Sequence, residues 1–193
     1  MKSKQNSVEY ADKVDRLNDL YYLDNQNFID LFFGDEAGFS LNLNVPYGWQ
    51  FPNEEIRVLP QRGKQINVLG FMKSSGDELH TFSREGSVKT GFVIEAINTW
   101  RKGLTKPTVL ILDNARIHHS IVFKDCLAEW ENSGLYIFFL PAYSPHLNRI
   151  ERLWQKIKQR WLSPGDYIDL NALKLALERI WNEFGEKLQV NFK

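Results

Sequence analysis

Residues 108–140 read TVLILDNARIHHSIVFKDCLAEWENSGLYIFFL, and their apolar pattern indicates the fold class. TVLIL is a β-rich apolar run that ends at Asp113, and the pattern predicts a helix through IVFKDCLAEW before the apolar strand LYIFFL. A strand, a helix and a strand in this order imply a parallel pair with a right-handed crossover. The stretch therefore predicts an α/β protein.

Three more strands are predicted before this unit. FIDLFFGDEAGFSLNL (28–43) is interpreted as a buried strand that is broken by Gly34, Asp35 and Glu36 and then continues. KQINVLGFMKS (64–74) and ELHTFSRE (78–85) are predicted as two strands joined by a tight turn. Adjacent strands of this kind favour an antiparallel meander.

Four further segments have the apolar spacing of helices. The spacing predicts a short amphipathic helix over 8–23, one over 87–100 with Ser87 as candidate N-cap, and a last one over 170–184. LNRIERLWQKIKQRW (147–161) has the clearest apolar stripe. Together the elements predict a mixed five-stranded sheet, with three antiparallel strands followed by two parallel strands and with helices on both faces.

Length and composition restrict the class of protein. The 193 residues suit one domain, and no apolar run approaches the ~20 residues that span a bilayer. The start has no secretory signal and Cys126 is the only cysteine, so a cytoplasmic protein without membrane association is expected. Net charge is zero, but five basic residues and one acid lie between Arg149 and Arg160, which suggests either a solvated helix face or a contact with phosphates.

Three acidic residues are candidates for chemistry, although each also has an ordinary structural explanation. Asp113 follows a strand, as turn and capping residues do. Asp35 interrupts a buried segment, and Glu151 lies in the first turn of a helix, where the macrodipole favours an acid. In the predicted sheet the first and fourth strands lie side by side, so Asp35 and Asp113 would be neighbours near the crevice where such sheets bind ligands.

A cluster of the three acids would favour a divalent cation. Two carboxylates ~4 Å apart repel by ~4 kcal/mol at an effective dielectric of ~20, so cations or protons must compensate for three of them. Carboxylate oxygens suit Mg²⁺ or Mn²⁺, and Mg²⁺ keeps positions for water and substrate phosphate oxygens. This site chemistry is typical of phosphoryl transfer.

Three motifs carry a resemblance to a known family. GDEAGF (34–39), LDNARIHHS (112–120) and LPAYSPHLNRIERLWQKIK (140–158) together resemble the catalytic domain of mariner-related bacterial insertion-sequence transposases of the DDE type. The resemblance covers roughly residues 28–184, and 37 residues lie between Asp113 and Glu151, as in the branch that it resembles. It implies a ribonuclease-H-like fold, with residues 1–25 as an N-terminal helix and linker and residues 26–193 as the catalytic domain.

The resemblance also implies the site and its partners. Asp35, Asp113 and Glu151 would be the metal-binding catalytic triad for Mg²⁺ or Mn²⁺, with two ions expected. The partners would be transposon-end and target DNA and a second copy in a homodimer. A helix-turn-helix region that reads the ends would come from a separate polypeptide or from an upstream reading frame joined to this one, or the ends would not be recognised at all. The candidate DNA contacts are Asn114, His118, Arg149, Arg152, Lys156 and Lys158.

The motifs depart from the family at two positions. The family usually has an acid where His146 stands and a proline where Arg149 stands, and neither change removes a metal ligand. Packing at the start of a helix explains His118 as well as a role near phosphate does. The segment 42–65 contains Trp49, which is interpreted either as part of a clamp on DNA or a partner subunit or as a residue packed on the sheet.

Other functions remain open at this stage. A structure-specific nuclease, such as a junction resolvase or a ribonuclease H, would cut DNA but not join it. A truncated remnant or regulator of a full-length transposase would not catalyse, although the complete acidic triad counts against this interpretation. A glycosidase that uses two of the carboxylates is the most distant alternative, because it needs neither metal nor the basic helix.

Overall fold

The computed structural model describes residues 7–41 and 65–192, and the 42–65 segment with Trp49 lies almost wholly outside the described residues. The five strands are β1 (Asp30–Ser40), β2 (Gln65–Lys73), β3 (Leu79–Glu85), β4 (Thr108–Leu112) and β5 (Leu135–Phe139). The helices are α1 (Ser7–Asn25), α2 (Thr90–Trp100), α3 (Ile121–Asn132), α4 (Ile150–Lys156) and α5 (Leu170–Glu183). In this part of the chain, no helix is long and apolar enough to cross a lipid bilayer.

The strands form one sheet in the order β3-β2-β1-β4-β5. β1 pairs antiparallel with β2, and β2 pairs antiparallel with β3. β4 is parallel to both of its neighbours, β1 and β5. The predicted mixed sheet is therefore confirmed, including the adjacency of the first and fourth strands.

Helices cover both faces of the sheet, because its central strands are apolar on both sides. On one face α1, α4 and α5 pack against a cluster that includes Phe33 and Ile111. On the other face α2 and α3 pack against Phe32 and Leu110. We refer to these as the α4 face and the α3 face.

Three local features differ from the sequence-based expectations. β1 runs unbroken through Gly34, Asp35 and Glu36, because β2 continues to pair with it along this length. α2 begins at Thr90 with Lys89 as its N-cap, so Ser87 does not cap it. The helix that carries Glu151 does not run regularly to Trp161: α4 ends at Lys156 and continues as a π turn over 157–161.

A glycine allows α4 to lie close to the sheet. A Cβ atom on Gly70 of β2 would lie 2.6 Å from Cη2 of Trp154 and 3.2 Å from Cδ1 of Ile150. Both of these α4 side chains are buried in the α4-face cluster. Any larger residue at position 70 would therefore push α4 away from β2.

Candidate active site

The register of the central strands brings Asp35 and Asp113 together. The last paired residues of β1 and β4 are Phe33 and Ile111, and the two acids lie two positions beyond them on neighbouring parallel strands. Side chains alternate along a strand, so Asp35 and Asp113 share the α4 face with Phe33 and Ile111. The sequence-based expectation that the two acids are neighbours is thus consistent with the register.

Asn148 attaches the segment that carries Glu151 to β1. Its Nδ2 donates a 3.2 Å hydrogen bond to the carbonyl oxygen of Gly34, the residue before Asp35. The backbone N–H of Glu151 donates to the carbonyl oxygen of Asn148 at 3.1 Å. Asn148 is buried, so its amide ties the start of α4 to the strand beside the first acid.

Trp154 makes a second connection between α4 and β1. Its Nε1 donates a 3.1 Å hydrogen bond to Oδ2 of Asp35. The indole ring is buried and packs edge-on against Phe39 and Trp181. A single side chain therefore contributes to the core and orients the first carboxylate.

The negative charges of neighbouring carboxylates affect the pKa values of Asp35 and Glu151. Burial and the negative charge of Glu151 raise the pKa of Asp35 from 3.8 to about 7, with a further contribution from Asp113. Burial also raises the pKa of Glu151, and Asp113 adds to this while Lys158 opposes it. A cluster of like charges in a partly buried position is the arrangement that perturbs pKa values at functional sites.

Asp113 differs from the other two acids because it has compensating donors. A hydrogen bond from His118 holds the pKa of Asp113 below its usual range, against the effect of burial. Nδ1 of His118 lies 3.2 Å from Oδ1 of Asp113, and the backbone N–H of Ala115 donates to the same oxygen at 3.1 Å. Asp113 is therefore ionised and fixed in orientation.

A cleft of about 420 Å³ opens beside the acids. Asp113 and Glu151 line it together with Asn148 and the exposed Arg116. Its wall includes the loop around Tyr143, which is exposed and has a positive φ of 59°. The cleft thus joins two of the three acids to a positively charged side chain.

The other predicted site residues lie in different surroundings. Asn114 is exposed in the cleft and bonds to His119, whereas His118 is buried beneath Asp113. Arg149 donates a 2.8 Å hydrogen bond to the carbonyl oxygen of Ser74, and its guanidinium lies 4.2 Å from the ring centroid of Tyr21. Arg149 is therefore engaged within the protein.

The remaining basic residues of α4 and the π turn divide into two groups. Arg152 and Lys156 face the C-terminal segment 189–192: Arg152 lies over the Phe192 ring and Lys156 donates to the Gln189 carbonyl oxygen. Nζ of Lys158 lies 5.3 Å from the ring centroid of Phe39. The positive charge of Lys158 opposes the rise in the pKa of Glu151. A DNA contact by any of these side chains stays a prediction.

The described residues hold no complete metal cage, although their donor chemistry fits a divalent ion. Across residues 7–41 and 65–192, no three or more His, Cys, Asp or Glu side chains form a group that could hold a metal ion by itself. Mg²⁺ commonly takes only one or two carboxylates and completes its octahedron with water and substrate phosphates. A cation would also relieve the repulsion that raises the pKa of Asp35.

Sequence reasoning did not identify Asn148, Trp154, Arg116 or Glu36 as parts of the site. Trp154 and Asn148 belong to the LNRIERLW motif, but periodicity marks Trp154 only as a core residue. The contacts of Asn148 and Trp154 with β1 depend on how α4 docks on this strand, and docking is a long-range contact. The motif itself was the only signal in the sequence for these two residues.

Known structures share this fold. The fold is similar to that of the Mos1 strand transfer complex, at a TM-score of 0.60 and 18% identity over 90% of this chain and 54% of that chain. The mariner Mos1 paired end complex with Mg has a TM-score of 0.61 and 15% identity, covering 98% of this chain and 59% of that chain. The predicted ribonuclease-H-like fold of transposase catalytic cores is therefore confirmed.

The family follows from the sequence match. Residues 30–174, well over half of the chain, match the model of the DDE superfamily endonuclease. The chain belongs to this family. The family predicted from the three motifs is thus confirmed.

Two curated relatives share parts of this sequence. The insertion element IS630 uncharacterized 39 kDa protein of Shigella sonnei is 28% identical over 131 residues, which are 66% of this chain and 37% of that protein. The uncharacterized protein y4pE/y4sA of Sinorhizobium fredii (strain NBRC 101917 / NGR234) is 32% identical over 75 residues, 39% of this chain and 51% of the relative. The chain matches about half or less of the length of these relatives.

Proposed function

We propose that this chain is the catalytic domain of an insertion-sequence transposase, which cleaves DNA at the element ends and joins the new 3′ ends to target DNA. The observation that carries the proposal is the electrostatic effect of Asp113 on both Asp35 and Glu151, and of Glu151 on Asp35, in a DDE endonuclease fold. These acids come from two neighbouring strands and from a helix fixed to one of them. The family match and the insertion-element relative support the same function.

In this proposal the triad binds two divalent ions. Asp35 and Asp113 would hold the ions together, and Glu151 would fix the second. Mg²⁺ or Mn²⁺ bound there would promote deprotonation of a water or a DNA 3′-hydroxyl and stabilise charge on the phosphate. The pKa of about 7 leaves Asp35 partly protonated at neutral pH. Because a metal ligand must be ionised, Asp35 would lose this proton when a metal ion binds.

The protein side chains would position the DNA. The cleft beside Asp113 and Glu151 would hold the scissile phosphodiester, and Arg116 at its edge would contact a neighbouring phosphate. Asn114, which lines the same cleft, can donate from its amide to a phosphate oxygen. Trp154 and Asn148 would keep the acids in register by anchoring α4 to β1.

The family resemblance further supports two proposals about assembly. The catalytic domain would act as a homodimer on paired ends, and a helix-turn-helix region, on this or another polypeptide, would read the terminal repeats. The residues described here would then bind DNA with little sequence preference.

The test is cleavage of a labelled duplex in Mn²⁺ or Mg²⁺ by the natural chain, by Asp113→Asn and by Asp125→Asn. Asp125 is an exposed acid on α3 and serves as the matched control. We expect metal-dependent nicking by the natural chain and the control, and none by Asp113→Asn. Nicking that survives Asp113→Asn would contradict the proposed site, and strand-transfer assays on pre-cut ends would separate a transposase from a simple nuclease.

A further inference from the structure

Four buried side-chain polar atoms of the described residues have no hydrogen-bond partner, and two of them belong to residues that line the same small cavity. These two are Oε1 of Glu36 and Nε2 of His118. The cavity has a volume of about 90 Å³ and is also lined by Asp35 and Asp113. A buried polar atom without a partner is rare, because leaving it unsatisfied costs roughly 1–3 kcal/mol.

The contacts of His118 define which of its nitrogens carries the proton. Nδ1 lies 3.2 Å from the carbonyl oxygen of Asp113 and 3.2 Å from Oδ1 of the same residue. Both partners are acceptors, so Nδ1 is the donor. In the neutral ring Nε2 is then an acceptor and needs a donor from the cavity.

The ring of His118 cannot turn to find another partner. Only 4% of the residue is exposed, and its ring centroid lies 5.5 Å from that of Phe123 and 6.4 Å from that of Phe139. Its backbone N–H is also bonded to the carbonyl oxygen of Ala115 at 3.1 Å. The imidazole is thus held with one edge on Asp113 and the other edge towards the cavity.

Oε1 of Glu36 is the second atom without a partner beside the same space. Water both donates and accepts hydrogen bonds, so one molecule can satisfy this oxygen and Nε2 of His118 together, and water is the smallest such molecule. The cavity of about 90 Å³ is several times larger than the ~10–15 Å³ that one water requires. Its polar lining supplies the hydrogen-bond partners that keep a buried water in place.

We propose that a buried water links Glu36 to His118 and that these two side chains are positioning residues, which fix the carboxylate of Asp113 for metal binding. The inference rests on the proposed function, because it assigns Asp113 to the metal site. Glu36 and His118 would act through Asp113 and would not touch DNA. The arrangement changes the expectation for His118 from a phosphate contact to an orienting group.

The experiment is a double-mutant cycle on Mn²⁺ affinity. Glu36→Leu removes the carboxylate acceptor without adding a polar atom, and His118→Asn keeps a donor near the Nδ1 position but removes the Nε2 acceptor. We expect each variant to weaken Mn²⁺ binding about tenfold, as the loss of an orienting partner of a metal ligand typically does. The double variant should be about as weak as one single variant, because both changes break the same link.

A matched control and a fold check accompany the cycle. His80→Asn changes an imidazole on the edge strand β3 that is paired with Glu78 and packs on Phe32, and this change should leave Mn²⁺ affinity unchanged. Thermal unfolding identifies any variant that fails to fold. If the two single effects multiply to about a hundredfold, Glu36 and His118 act independently and the link is contradicted.

Two measurements without metal test the inference separately from the proposed function. Nitrogen NMR of labelled histidine should show the Nδ1–H form of His118, and a high-resolution crystal structure should show water within hydrogen-bond reach of both orphaned atoms. An Nε2–H ring or a dry cavity would overturn the proposal. If the natural chain binds no Mn²⁺, the metal site is wrong, while the ring form and the water still decide this inference.

Discussion

Nε1 of Trp154 donates a hydrogen bond over 3.1 Å to Oδ2 of Asp35, and the two residues are 119 positions apart in the chain. The contact joins the helix that carries Glu151 to the strand that carries the first acid. An N–H that points at a carboxylate favours its ionised form, whereas burial and Glu151 favour the neutral form. The indole thus opposes the two effects that would keep Asp35 protonated.

Replacement of Trp154 by Phe should separate packing from hydrogen bonding. Phe keeps an aromatic ring against Phe39 and Trp181 but removes the donor to Asp35 and some buried volume. We expect the free energy of unfolding to fall by about 1–3 kcal/mol and the Mn²⁺ concentration for half-maximal nicking to rise. Unchanged metal dependence would mean that the Trp154 donor does not affect Asp35.

The raised pKa of Asp35 predicts an unusual pH dependence of stability in the absence of metal. The folded state favours the protonated carboxyl of Asp35. Its contribution to the free energy of unfolding is therefore complete below the unfolded pKa near 4 and is lost as the pH rises through about 7. A shift from 3.8 to about 7 corresponds to a contribution on the order of 4 kcal/mol. Asp35→Asn should therefore be more stable than the natural chain at pH 8.

This pH effect is measured by urea unfolding in a chelator at several pH values between 4 and 8. The difference between the natural chain and Asp35→Asn is the relevant quantity, because Asp113 has a lowered pKa and contributes with the opposite sign. Saturating Mn²⁺ should reverse the order of stability at pH 8, since only the natural carboxylate binds the ion. A pH-independent difference would show that Asp35 is ionised throughout.

Gly70 should be essential for the position of Glu151. The Cβ atom of Gly70→Ala would lie 2.6 Å from Cη2 and 2.9 Å from Cζ2 of Trp154, a buried ring with little room to move. We expect a loss of about 1–3 kcal/mol in the free energy of unfolding and at least a tenfold loss of nicking by the folded protein. Gly91→Ala is the control, because no atom lies within 4 Å of its added Cβ.

Gly91 lies in the first turn of α2, so alanine there should be neutral or stabilising by up to about 1 kcal/mol. Thermal unfolding and the nicking assay compare the two alanine variants directly. Full nicking activity in a folded Gly70→Ala protein would show that α4 can move without moving the catalytic carboxylate.

Arg149 and Arg116 should differ in their effect on DNA binding. Arg149→Ala removes the hydrogen bond to Ser74 and the stacking on Tyr21, so we expect a loss of about 2 kcal/mol in stability. The affinity of the Arg149→Ala protein for DNA should depend on salt in the same way as that of the natural chain. Arg116→Ala should instead keep its stability and lower the slope of log affinity against log salt by about 0.9.

The two arginines are compared by fluorescence anisotropy on one duplex at several salt concentrations, with Ca²⁺ to prevent cleavage. A reduced slope in the Arg149→Ala protein would assign this guanidinium to a phosphate, in agreement with the expectation from the basic helix.

The mixed sheet and the adjacency of β1 and β4, the strands beside Asp35 and Asp113, could be predicted because they depend on patterns along the chain. The strand, helix and strand around Asp113 fix a parallel pair, and three consecutive strands fix the antiparallel part. The continuity of β1 through Asp35 could not be predicted in this way. Polar residues normally interrupt a strand pattern, and only the pairing with β2 shows that they do not here.

The details of the site were less predictable for a different reason. Hydrophobic periodicity places Trp154 in the core but does not show where its N–H points, which depends on the docking of α4 on β1. Glu36 and His118, which line one cavity, likewise come from two separate sequence motifs. Ser87 as an N-cap was wrong because cap signals are local and helix boundaries vary by one or two residues.

The central position of β1 has a consequence for protein synthesis. β1 is synthesised before its neighbour β4 and the helix α4, and β2, β3 and α2 come between them in the chain. Chains emerge from the N-terminal side and fold as their contacts become available. Under the proposed function, a translation product that stops before α4 would carry Asp35 and Asp113 without Glu151, so cleavage would require synthesis to continue through α4.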